Sequence, residues 1–141
     1  MNIKEALLEE HSKAQTLRIT AFINSDPKKF KELMYLILND EYRVVQRGSW
    51  VVRHCYEHEP NLILPYLEAI ISKLRNPSHD AYKRNMLVIL SEIDVPDKFI
   101  GELADICFDS LENRSEAVAI RAHAISNLYN ICFKEPDLAN E

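Results

Sequence analysis

Asn39-Asp40-Glu41-Tyr42-Arg43-Val44-Val45-Gln46-Arg47-Gly48-Ser49-Trp50-Val51 carries the chain out of one helix and into the next. Asn39 and Asp40 make a turn. Val44, Gly48 and Val51 then recur at helix spacing, so a helix starts here with that face inward. The frame returns 37 residues later as Asn76, Arg84 and Val88, and again as Asn113, Arg121 and Ile125. Ahead of each arginine stands an apolar quartet at helix spacing: Phe30, Leu33, Met34, Ile37; Leu67, Ile70, Ile71, Leu74; Ala104, Cys107, Phe108, Leu111. Two helices per repeat follow, and a period of roughly 30 to 50 residues points to an all-α solenoid of antiparallel helix pairs, an α-α superhelix.

Composition agrees with a packed, helical chain. Of 141 residues, 47% are apolar and 28% charged, which is too apolar for disorder. Only Gly48 and Gly101 are glycines, so little of the backbone needs positive φ. The net charge of -5, with cations and acids interspersed, gives no general attraction to phosphate backbones, and a nucleic-acid partner is not expected. Cys55, Cys107 and Cys132 are odd in number and sit among apolar neighbours in helical patterns, as reduced buried thiols do. There is no signal-peptide core and no apolar run of membrane-spanning length, so a cytoplasmic location is expected.

The whole chain, residues 1–141, reads as one solenoid. Residues 1–26 form an N-terminal cap, with one long helix from about Ile3 to Ile23. Helix pairs occupy 27–59, 60–96 and 97–134. Asp26 caps a helix that starts at Pro27, where a missing N–H costs least. In the second pair the first helix runs from Leu62 to Leu74, with Pro65 in its first turn, and Ser78 caps the second. Glu135-Pro136-Asp137-Leu138 echoes Glu59-Pro60-Asn61-Leu62, so 135–141 reads as the start of a further, truncated repeat.

Paired helices with an arginine early in each second helix resemble HEAT repeats of the ARM/HEAT superfamily over residues 27 to 141. The runs Asp40-Glu41-Tyr42-Arg43-Val44, Arg47 to Val52 and Leu103 to Asp109 are similar to small bacterial HEAT-like proteins, some of them labelled adenylosuccinate lyase. The HEAT pattern places an aspartate about six residues before the arginine, where this chain has Glu41, Ser78 and Ser115. The resemblance implies a protein-binding scaffold, with the second helices lining a concave face. No cofactor and no catalysis are expected.

The arginines admit two accounts: each ties carbonyls or an acid of the adjoining repeat, or together they line an anion-binding groove. Recurrence at the stacking interval favours the structural account. Charge reversal at Arg84 or Arg121 is therefore expected to lower stability, and reversal at Arg43 or Lys83 to weaken partner binding. Arg43, Arg47, Trp50 and His54 are spaced to share one helix face, a candidate surface for a protein partner, together with Lys83, Arg84 and Arg121. The competing account packs Trp50 against Leu87 as core. His54 and His58, one turn apart, can meet a metal but lack a third ligand in the sequence. A DNA-repair HEAT protein would need a cationic groove. Arg43, Arg47 and Arg53 are instead set against Asp40, Glu41 and Glu57, and Lys83 and Arg84 against Asp80 and Glu92. Tyr82-Lys83-Arg84-Asn85 resembles part of the adenylosuccinate lyase signature loop, but the flanking glycine, serines, methionine and proline are missing.

Overall fold

The computed structural model describes residues 1–76 and 79–135. The described residues form α1 (Ile3–Glu9), α2 (Lys13–Ile23), α3 (Pro27–Asn39), α4 (Tyr42–His58), a 3-10 segment (Pro60–Tyr66), α5 (Leu67–Arg75), α6 (Asp80–Glu92), α7 (Asp97–Glu112) and α8 (Val118–Lys134), with no strand among them. The fold is all-α, as the spacing predicts.

Local chemistry sets these boundaries and corrects two of them. The single helix expected from Ile3 to Ile23 is divided, because Glu10 is extended and the Ser12 hydroxyl starts a second helix by accepting the Gln15 N–H at 3.1 Å. Asn24 and Ser25, at φ 46° and 59°, then turn the chain, and the Asp26 carboxylate accepts the Lys28 N–H ahead of α3. The helix expected from Leu62 to Leu74 is also divided. Pro65 has no N–H for the α-helical ladder, and the chain stays 3-10 until Leu67. Ser78 and residues 136–141 lie outside the described residues; His79 caps α6, its Nδ1 accepting the Ala81 N–H at 3.3 Å.

Phe30, Leu33, Met34 and Ile37 of α3 are fully enclosed, as are Val44, Val51 and Val52 of α4. Each such side chain contributes about 1.5–3 kcal/mol on burial. Gly48 lets α4 approach α3 and α1: a Cβ there would stand 2.6 Å from Ile37 Cγ2 and 3.6 Å from Leu7 Cδ1. The odd-numbered helices form one row and the even-numbered ones another. α4 packs on α6 and α6 on α8 more extensively than α3 on α5 or α5 on α7, so the stack closes toward the even row.

Donors from later elements reach backbone carbonyls of earlier ones, most of them at helix ends that leave a carbonyl without a partner. The Gln15 amide donates to the Ala6 carbonyl at 2.8 Å, and Arg47 Nη1 donates to Leu7 and Leu8 at 2.8 and 3.2 Å. Lys73 Nζ reaches the Leu38 carbonyl at 3.4 Å, Asn130 reaches Ser91 at 2.7 Å, and Lys134 reaches Val95 at 2.6 Å. Asn127, 2% exposed, donates to the Leu87 carbonyl of α6 at 2.9 Å. These last three bonds set the rotation of α8, which buries Ile120, Ala124, Leu128 and Ile131. Ile125 is therefore 56% exposed, where its counterparts Val51 and Val88 are enclosed.

Candidate functional site

The repeat positions do not share one role. Arg47 is the stacking arginine, because α1 stops at Glu9 and leaves its last carbonyls against α4. Arg84 is exposed on α6 and Arg121 partly buried on α8, and among the described residues neither guanidinium has a hydrogen bond or ion pair. Lys83 meets Glu116 at 3.1 Å, and with Asn76 and Asn113 this pair lines a hollow of about 270 Å³. Asn113 also accepts the Ser115 N–H at 3.0 Å, and Asn39 bonds back to the Tyr35 carbonyl at 2.9 Å. The helix-face grouping of Arg43, Arg47, Trp50 and His54 is thus split: Arg47 turns to α1, and Arg43 faces solvent.

Another set of side chains comes together beside Trp50. His11 from the α1–α2 loop, Gln46, Trp50 and Arg53 of α4, and Ala81, Arg84 and Asn85 of α6 line a cleft of about 260 Å³. Gln46, Trp50 and Arg53 share this side of α4 because they stand at i, i+4 and i+7. Trp50 is only partly buried, unlike a core residue packed on Leu87. Its indole lies edge-on to His11 at 6.3 Å and tilted against His54 at 5.9 Å between ring centroids.

Cations from α2, α4 and α6 act on two histidines around this cleft. His54 is held below its ordinary pKa first by burial, with Arg53, Lys13 and His58 adding to the effect and Glu57 opposing it. His123 of α8 is lowered by burial and then by Arg53 and Arg84. Glu57 is the acid in ion-pair reach on α4, 3.6 Å from Arg53 and 3.7 Å from His54. The four even-row helices carry nine lysines and arginines against three carboxylates. Within α6, Lys83 and Arg84 are matched by Asp80 and Glu92, whereas Asp40 and Glu41 lie ahead of α4, and Asp40 pairs with Lys4 at 3.0 Å.

Gln46 and Arg53 were passed over in the sequence, although the i, i+4, i+7 spacing around Trp50 could have found them, whereas His11 sits in a loop and Lys13 and His123 belong to other helix pairs. Among the described residues no three His, Cys, Asp or Glu side chains are grouped to hold a metal ion, His54 and His58 included. No described helix is long and apolar enough to cross a membrane.

Residues 3–141 match the HEAT repeat domain family. No curated protein and no solved structure matches the chain. With a stack of helices among the described residues and a family match over nearly its whole length, the chain belongs to the HEAT repeat domain family.

Proposed function

We propose that this HEAT repeat protein is a non-catalytic scaffold whose even-row face holds an acidic segment of another protein over Trp50. The observation that carries this reading is the cleft itself: a partly buried indole rimmed by Arg53 and Arg84, with His54 and His123 kept neutral beside them. A partner's carboxylates relieve the mutual repulsion of these cations, and its apolar or aromatic side chain covers the indole, the pairing that anchors protein interfaces. Arg43, two turns before Trp50, extends the rim. Lys83 is committed to Glu116 and contributes less. Three unpaired cysteines suit work in a reducing, cytoplasmic setting.

Capture from native extract tests the reading. The Arg53→Glu/Arg84→Glu variant is expected to lose the bound partner, while Lys31→Glu on the odd row retains it, with both variants keeping the helical circular-dichroism signal. Equal retention or equal loss overturns the assignment of the cleft.

The surplus of lysine and arginine on the even row favours a second reading, a nucleic-acid partner held through its phosphates. A retarded DNA or RNA band at low salt that disappears as salt rises would support it over a protein partner.

A further inference from the structure

We propose that two copies of this chain associate through α8, packed antiparallel about a two-fold axis near Ile125. α8 is apolar on both sides. One side, centred on Ile120, Ala124 and Ile131, is enclosed against α6 and α7. The opposite side carries Val118, Ala122, Ile125, Tyr129 and Phe133 at i, i+4, i+7, i+11 and i+15. Val118 is 82% exposed, Ile125 56%, Tyr129 65% and Phe133 73%. Tyr129 and Phe133 already meet edge to face, 5.0 Å between centroids. A helix that is apolar on two opposite sides needs cover on both, and α4 shows the contrast, with Gln46, Arg53 and Glu57 opposite its buried stripe. Nothing among the described residues covers the α8 stripe.

Area and shape favour a second copy as the occupant. Four large apolar side chains at these exposures offer on the order of 500 Å² per copy. Two copies together therefore approach the roughly 1,000 Å² that a specific interface needs, before flanking residues are counted. An antiparallel register about Ile125 sets Ala122 against the partner's Tyr129 and Val118 against the partner's Phe133. Small thus meets large along the seam, whereas a parallel pair would set ring on ring and leave a gap at Ala122. The same register separates the two Arg121 charges by about 13 Å along the axis and opposes the helix dipoles. A head-to-tail stack on the other end of the molecule is less well served. There Leu8 and Leu17 are 39% and 43% exposed and stand among Glu9, Glu10, Lys13 and Arg18. An isologous pair also closes, where head-to-tail contacts continue into filaments.

Sedimentation equilibrium of the full chain decides the matter. The wild type is expected to be a dimer at micromolar concentration, and Tyr129→Glu/Phe133→Glu a monomer with unchanged circular dichroism. Ile125→Cys in a Cys132→Ser background is expected to form a disulfide-linked dimer under mild oxidation, independently of how the charged variant folds. A monomeric wild type, as when a further helix pair or a different protein is the natural cover, overturns the proposal. So does a dimer that survives the two glutamates, a species that grows past the dimer, or a dimer that the Ile125→Cys substitution fails to cross-link.

Discussion

Replacing Gly48 with alanine adds one methyl group at the closest approach of α4 to α3. In an open helix the change would stabilise by about 1 kcal/mol, because alanine loses less backbone entropy than glycine. Here the new Cβ would stand 2.6 Å from Ile37 Cγ2, about 1 Å inside the ordinary carbon–carbon contact of ~3.5–4.0 Å. Ile37 is fully enclosed and β-branched in a helix, so it has no second rotamer to take up. Overpacking of this kind costs about 1–3 kcal/mol, which outweighs the gain and leaves Gly48→Ala destabilised by about 1 kcal/mol. For a chain of this size that lowers the melting temperature by roughly 3 °C. Gly101 is the matched control, exposed on α7 where an added methyl group would meet nothing within 4 Å. Gly101→Ala should raise the melting temperature by a similar amount. Thermal unfolding followed by far-ultraviolet circular dichroism reads both. If the two substitutions shift the melting temperature in the same direction, the close packing of α4 on α3 is wrong.

Arg47→Met, which keeps the stem and loses the bonds to Leu7 and Leu8, should cost about 1.5–3 kcal/mol in urea unfolding. Arg84→Met should stay within ~0.5 kcal/mol; equal losses would restore a common structural role for the periodic arginines. His54, His79 and His123 are all held below the ordinary histidine pKa of 6.5 chiefly by burial, so the neutral rings favour the fold. Their contribution is complete above that value and declines as pH falls from it toward the depressed folded values, so urea midpoints should drop between about pH 7.5 and pH 5. A flat profile there would contradict it. Burial pushes the Cys55 and Cys107 thiols up to about 12, while Cys132 is only partly buried. A thiol reagent on the native protein should therefore modify Cys132 alone in its fast phase, and rapid loss of all three thiols would refute this.

The stack was legible because its signal is hydrophobic spacing: Phe30 through Ile37 and Leu67 through Leu74 are core where the pattern puts them. Helix ends were less so. Ser12 and Pro65 interrupt helices through a single side-chain cap and a single missing N–H, which a broad apolar stripe conceals. The 37-residue interval predicted kinship among Arg47, Arg84 and Arg121, yet an arginine's role depends on whether a neighbouring helix happens to end beside it. Among the described residues α1 does so, at Leu7 and Leu8 beside Arg47. Ile125 illustrates the same limit. α8 has two apolar faces, and the bonds from Asn127, Asn130 and Lys134 to the preceding repeat choose which is buried. Around Trp50, spacing along one helix named Trp50 and His54 but passed over Gln46 and Arg53, while His11, Arg84 and His123 meet the cleft from elements whose approach is decided by packing.

The emission of Trp50, the chain's single tryptophan, reports on the cleft without a label. Titration with a glutamate-rich peptide carrying one aromatic residue is predicted to change that emission saturably, more weakly as salt is added, and not at all in the Arg53→Glu/Arg84→Glu variant. An unchanged wild-type emission, or the same change in the variant, would contradict a binding face at the α4–α6 cleft.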